Sequence, residues 1–448
     1  MSKSPWIVIA GGGTAGHVLP ALAIANELRA TGTPASAIHF VGSKRGLEGR
    51  LVSEAGFPIT LLSGRGIQRK LTTDNIGAVV GLMSGAVRAL WLLATKRPAV
   101  VFSVGGYAST PCAFAARLLR IPLVQAESNA RAGKAISTFA RYAKATAVQF
   151  EGTGLAHAEL VGNPVRPEVL ALFSEPLPAE DSTVPVDITP ELAQTVSPDV
   201  SIDVSSDVSA NVLMDSPANV SMDVSSEVSL DVSSSASLDV VRSVGFQDRK
   251  NQARRDLGYP TDQRFLAVFG GSLGARRINE AVFGLMESWS DRKLSVHHVI
   301  GDRDYAAAQQ WLTEWNANAS DRTITYHQIR YEDRMDLVYA AADVFVCRAG
   351  GTSIADLAIA GVPAILVPLP SAAEDHQTAN AMSVVADGGA ICVPDKECTP
   401  ERLAHELSLI LQDDAHYAAM RQAQRKRARP NAAPAIVALL DRFASRAR

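Results

Sequence analysis

Four cysteines (Cys112, Cys347, Cys392, Cys398) serve 448 residues, with no C-x-x-C pair and no metal-ligand spacing among them. That excludes a zinc ribbon or a dithiol redox centre, and leaves unpaired, mostly buried thiols in a reducing compartment as the reading. Aromatic residues are few, at 6%. The N-terminal stretch MSKSPWIVIAGGG has an apolar run of only about five residues before its glycines, shorter than the core of a secretory signal, so secretion is not expected. Cations are missing from one region altogether. Between Glu175 and Asp239 stand thirteen acidic residues and no Lys or Arg.

That region, from about 173 to 242, repeats D-V-S-like units at Asp199, Asp203, Asp207, Asp223, Asp231 and Asp239. It has few large side chains to offset the entropy of ordering it, so it reads as an acidic, low-complexity, disordered insert. The formal net charge of the chain is −3. With the thirteen acids set aside the remaining body carries about +10, a balance suited to anionic nucleotides or an anionic membrane surface.

What is present outside the insert is a recurring unit of short apolar strand, glycine turn and apolar helix. The length exceeds one core and suggests two domains. Trp6 to Ala10 is a buried strand, Gly11 to His17 a turn, and Val18 onward a helix with Pro20 expected in its first turn. Pro98 to Pro111 and Ile121 to Asn129 repeat the strand with a polar tip. The segment Val161 to Pro167 leaves the first half as an extended, proline-held linker. Arg264 to Asn279 and Val344 to Gly361 are two further strand, turn and helix units.

The last of these is the most informative. Arg348-Ala-Gly-Gly-Thr-Ser joins a strand to a helix N-terminus, where unpaired backbone N–H groups and the helix dipole stabilise an anion, above all a phosphate. Asp356, one turn inside, is placed to accept from ribose hydroxyls. Glu374 to Thr378 forms a polar cluster after the next strand. In an open parallel α/β sheet all such strand tips lie on one rim, where ligands bind. His17, at the end of the first turn, is a candidate base there; a packed or capping histidine is the alternative. Glu127 and Asn129 are rim candidates whose structural alternative is helix capping. A glycine loop after a first strand also occurs in NAD enzymes, but Ile38 to Gly42 ends the second strand with no acid at its tip, which disfavours that reading. The fold class is therefore α/β, with two Rossmann-like domains facing each other across a cleft and the insert between them.

Ile76 to Leu93 is apolar over about a membrane span, preceded by Arg65, Arg69 and Lys70 and interrupted by Arg88. A largely buried helix is the expectation, with its exposed face and the basic loop a candidate membrane-surface contact rather than a span.

Seven stretches, GGGTAGHVLPALAIA, GSKRGLE, SVGGYASTP, GNPVR, FGGSLGAR, CRAGGTSIADLAIAGVP and DHQTANA, resemble in order the MurG family, the UDP-N-acetylglucosamine:N-acetylmuramyl-(pentapeptide) pyrophosphoryl-undecaprenol N-acetylglucosaminyltransferases of bacterial peptidoglycan synthesis. The resemblance covers nearly the whole chain outside the insert. It implies a GT-B fold, inverting transfer, no catalytic metal and no cofactor, and a peripheral protein on the cytoplasmic face of the inner membrane. Its partners would be UDP-GlcNAc, lipid I and the membrane surface, with no nucleic acid. The division it implies is an acceptor and membrane-facing domain at 1–166, the insert at 173–242, a UDP-GlcNAc-binding domain at 247–430, and a C-terminal helix at 431–448 returning to the first domain.

Motif match carries over donor-binding positions Thr14, Ala15, Gly16, Asn129, Arg166, Ser272, Gly351, Thr352, Ser353, Ile354, Ala355, Asp356 and Gln377. His17 is the expected base, with Glu127 as the alternative, and Arg166 or Arg348 would help loop amides to hold the diphosphate. The chain departs from the family pattern at three places. Ala15 replaces a loop glycine, Ala126 and Ser128 replace the histidine and glutamine of H-E-Q-N, and Asp356 stands where a glutamate usually contacts the ribose. Another GT-B nucleotide-sugar enzyme, such as an epimerase or a natural-product glycosyltransferase, or a non-catalytic UDP-sugar-binding scaffold, would share part of this pattern.

Overall fold

The computed structural model describes residues 6–44, 46–63, 74–173, 184–186, 228–230, 247–271, 274–317 and 322–444. Seven parallel strands make the first sheet: β1 (Ile7–Ala10), β2 (Ile38–Ser43), β3 (Ile59–Leu62), β4 (Val100–Ser103), β5 (Leu123–Glu127), β6 (Ala145–Val148) and β7 (Ala158–Leu160), in the order β3-β2-β1-β4-β5-β6-β7. β1, β4 and β6 are buried along their whole length, as runs of Ile, Val and Ala without alternation must be when helices cover both faces.

Within the insert, β8 (Val184–Val186) and β9 (Val228–Leu230) pair antiparallel, Val184 opposite Leu230. The irregular acidic repeat gave no sign of that ladder. The rest of the expected disordered region lies outside the described residues. The second sheet holds β10 (Arg264–Phe269), β11 (Leu294–Val299), β12 (Thr325–Ile329), β13 (Val344–Cys347), β14 (Ala364–Leu366) and β15 (Ala390–Cys392), all parallel, in the order β12-β11-β10-β13-β14-β15. Each sheet reverses its strand order beside its first strand, and such switch points open a crevice at the strand C-termini. Both sheets belong to one compact unit, Met1–Phe173 with Asp262–Arg448; Ser174–Thr261 is a second.

The two halves have separate cores. Leu266, Val296, Val346, Ile365, Leu403 and Met420 lie in that of the second sheet. The tail is three helices, Pro400–Leu411, Asp414–Arg427 and Ala432–Ala444. The last packs on the helix Ala15–Ala30, placing Ile436 and Leu440 in the core built on Ile7, Val18 and Ile24.

The helix Ala15–Ala30 begins earlier than its proline suggested. Both His17 N–H and Val18 N–H bond to the Thr14 carbonyl, so Pro20 falls in the second turn. Its missing N–H leaves the Gly16 carbonyl without an in-helix donor, beside the cleft. Ala15 is the first helical residue and has no positive φ, which is why an alanine is accommodated there.

Deleting 175–241 removes β8 and β9 together, and the two pair with each other. The expected result is an unchanged unfolding transition and unchanged turnover in the shortened chain. A loss of either would make the insert a structural element.

Candidate active site

The site is assembled from the two glycine turns of the first half. Gly12 N–H donates to Gly105 O at 3.3 Å, Val104 N–H to Ala10 O at 3.0 Å, and the ring of His17 lies over Gly105, whose added Cβ would stand 3.1 Å from His17 Nε2. His17 Nδ1 is 3.1 Å from Thr14 Oγ1. With that hydroxyl accepting from Nδ1–H, Nε2 keeps its lone pair. Burial lowers the pKa of His17 below 6.5, and the His376 ring adds to the shift while Glu48 opposes it. The imidazole is therefore neutral at pH 7, as a general base must be.

Glu48 is a residue whose role the motif did not disclose. It is buried, its Oε2 accepts from Gly13 N–H at 3.0 Å and its Oε1 from Ser43 N–H at 2.6 Å. An internal carboxylate thus occupies an amide of the first loop, a place that a diphosphate takes in dinucleotide folds. The loop is held rigid rather than left open to an anion.

Glu127 ends β5 with both oxygens engaged: Oε1 accepts from Asn129 N–H at 3.0 Å and Asn129 Nδ2 at 2.8 Å, and Oε2 from Gly133 N–H at 2.8 Å. Burial raises its pKa and these three donors pull it back. A carboxylate so saturated shapes the loop, so the geometry favours His17 over Glu127 for proton removal.

Opposite stands the helix Gly351–Ala360, capped by Gly350, which offers no side chain to its first N–H groups, and closed at Gly361 with φ +63°. Gly351, Thr352 and Ser353 form its first turn; Ile354, Ala355 and Asp356 are buried. A Cβ on Gly16 would lie 3.9 Å from Thr352 Oγ1, so the two loops face each other closely. The Thr352 hydroxyl is buried and has no hydrogen-bond partner among the described residues.

Asp356 is buried. Its Oδ2 takes Arg166 Nη2 at 3.0 Å, and the Tyr339 hydroxyl is a second partner. Burial pushes its pKa up to about 6, against the pull of Arg166. Arg166, from the extended linker, thereby crosses from one half to the other. Arg348 Nη1 donates to Val367 O, Pro368 O and Asp395 Oδ1, so it braces the loop after β14. Gln377 Oε1 accepts from Leu369 N–H at 2.9 Å, fixing the same loop. Ser272 lies outside the described residues. Among the described residues no three His, Cys, Asp or Glu side chains are placed to hold a metal ion.

The glycosyltransferase family 28 N-terminal domain model matches residues 7–148 and the family 28 C-terminal domain model residues 265–435. A Mycolicibacterium vanbaalenii protein named UDP-N-acetylglucosamine--N-acetylmuramyl-(pentapeptide) pyrophosphoryl-undecaprenol N-acetylglucosamine transferase is 31% identical over 99% of this chain and 91% of its own length. The chain belongs to the MurG family. A Nocardia farcinica protein of the same name is 30% identical over 98% of this chain and 96% of its own. Acinetobacter baumannii MurG superposes with a TM-score of 0.66 at 25% identity, over 98% and 99% of the two chains. The UDP-GlcNAc 2-epimerase of Neisseria meningitidis, at 12% identity and TM-score 0.56, shares the GT-B fold.

The residues that sequence reasoning missed are Glu48, Gln149 and Asn380. Gln149 Nε2 donates to Gly351 O at 3.0 Å across the cleft. Asn380, fully buried, bonds to both halves. Glu48 and Asn380 stood inside quoted motifs, but nothing in one sequence marks a buried amide as a bridge.

Proposed function

We propose that this chain transfers N-acetylglucosamine from UDP-GlcNAc to the 4-hydroxyl of lipid I, with inversion, to give lipid II. The observation that carries the chemistry is the His17 ring at the rim of the first sheet, paired through Nδ1 with Thr14, in a loop whose Gly16 closely approaches Thr352 in the uncapped Gly351 turn. His17 Nε2 takes the proton of the acceptor hydroxyl as its oxygen bonds to the anomeric carbon, and the bond from that carbon to the diphosphate breaks on the opposite face. UDP departs toward the N–H groups of Gly351, Thr352 and Ser353, which supply fixed positive dipole where charge develops. Arg166, close to this turn through Asp356, adds a cation. Thr14, Ala15, Gly16, Asn129 and Gln377 line the approach.

The first half is the acceptor and membrane-facing domain in this reading, and the second the donor domain. In the helix Asp74–Lys96, Met83, Val87 and Trp91 recur at four-residue spacing and are 64%, 68% and 67% exposed; the helix Ser109–Leu118 packed beside it exposes Phe114 and Leu118. Arg88, Arg117 and Arg120 are exposed on or next to these helices. Apolar side chains flanked by cations suit the surface of an anionic bilayer. No described helix is long and apolar enough to cross one. Arg65, Arg69 and Lys70 lie outside the described residues. We place the protein on the cytoplasmic face of the inner membrane. Trp91→Ala with Val87→Ser should weaken co-sedimentation with anionic vesicles by about tenfold and leave turnover of a soluble lipid I analogue unchanged. Undiminished vesicle binding would remove this face from the reading.

The transfer itself is tested with labelled UDP-GlcNAc and a lipid I analogue in EDTA, beside a sample lacking acceptor. Acceptor-dependent, EDTA-resistant product is expected. UDP release without acceptor would indicate a hydrolase or epimerase, and binding without turnover a scaffold.

A further inference from the structure

One buried side chain at the contact between the two halves is used by none of the site chemistry. Asn380, in the helix His376–Ala386 of the second half, is 0% exposed. Its Oδ1 accepts from Ala130 N–H of the first half at 2.7 Å. Its Nδ2 donates to Asn129 Oδ1 of the first half at 3.0 Å and to Ala349 O of the second, next to the Gly350 cap, at 3.1 Å. Both amide hydrogens and the oxygen are therefore spoken for.

The direction of this chain of bonds is fixed from its far end. Glu127 Oε1 accepts from Asn129 Nδ2, and an ionised carboxylate can only accept. Asn129 must then turn Oδ1 toward Asn380, which must answer with Nδ2; its Oδ1 is left for Ala130 N–H. No other arrangement of the two amides satisfies every group. The relay so formed runs from Glu127, through Asn129 and Asn380, to the carbonyl just before the Gly351 turn. We infer that Asn380 is a positioning residue: its carboxamide registers the donor turn of the second half against the Glu127 loop of the first, and so sets the closed geometry in which transfer occurs.

The inference rests on the transferase reading for its activity readout and on geometry alone for its structural one. An aspartate at 380 has the same shape but no hydrogens, so it would set a carboxylate against Asn129 Oδ1 and Ala349 O. Asn129 cannot flip to help it, because its own oxygen would then face Glu127. Alanine merely deletes the bonds. A role in filling space orders the variants the other way, with Asn380→Ala worse than Asn380→Asp.

The experiment uses the full chain with spin labels at the exposed Glu151 and Glu280, one on each half, and measures the distance distribution with UDP together with UDP affinity and transfer to a lipid I analogue. For Asn380→Asp we expect a longer, broader distance, turnover lower by roughly ten- to hundredfold as the two bonds donated by Nδ2 give way to facing oxygens while the Ala130 N–H bond is kept, and UDP affinity within about threefold of wild type. Asn380→Ala should fall between the two. The idea is overturned if Asn380→Asp keeps wild-type turnover and distance, if Asn380→Ala is the worse variant, or if UDP affinity drops in step with turnover. Should Asn380→Asp fail to fold, Asn380→Ala alone decides by the same distance and affinity criteria. An inactive wild type would instead refute the transferase reading, while the distance measurement would still test the bridge.

Discussion

Replacing His17 by alanine should leave UDP-GlcNAc binding near wild type and lower transfer by about 10²- to 10⁴-fold, the range that a positioned general base supplies. In the proposed reading the donor is met by the Gly351 turn and Arg166, which are not hydrogen-bonded to the imidazole among the described residues, so the two effects should separate. The pH profile gives a second check. Burial lowers the pKa of His17 from 6.5, so the base form persists as pH falls through 6.5, and kcat/KM should decline only below that value. The same shift has a stability sign: the unfolded chain takes up the proton first, so stability is lost as pH drops below 6.5. Turnover near wild type in His17→Ala would move the base elsewhere, and Glu127 would have to shed one of its three donors to serve.

The strand, turn and helix units were legible because each is local. Ile7–Ala10 is a short apolar run followed by glycines, and Gly351–Ala360 an apolar period closed by Gly361. Parallel strands joined by helices leave few arrangements, and all of them bring the turns to one rim. What the sequence did not disclose depends on partners far along the chain. Glu48 reaches Gly13 over 35 residues and Asn380 reaches Asn129 over 251. The place of Asp356 in its motif did not announce its partner: Arg166, 190 residues away, forms a buried pair with the carboxylate. Arg348 likewise has partners that its motif did not announce, Asp395 and two carbonyls. Charged side chains near a glycine turn are ambiguous in sequence because a buried charge must find some partner, and a protein group serves as well as a substrate.

The interlocked glycine turns give the other large effect, and one with an internal control. Gly106 has φ +81°, and a Cβ there would stand 2.1 Å from Gly12 O. Gly152 has φ +70° with no atom of the described residues within 4 Å of the same added atom. Alanine at either position bears the left-handed backbone cost, about 1–2 kcal/mol. Only at 106 must backbone also move, because the obstructing atom is a carbonyl of the loop that Glu48 and Gly105 hold in place. Gly152→Ala is therefore expected to lose about 1–2 kcal/mol and keep its turnover. Gly106→Ala should lose more, roughly 3–5 kcal/mol, and most of its transfer activity, since the displaced loop carries Thr14 and His17. Denaturant unfolding and the transfer assay on both variants separate the terms. Equal losses of stability, with normal turnover in Gly106→Ala, would mean that the two turns yield to each other, and that His17 does not depend on their packing for its position.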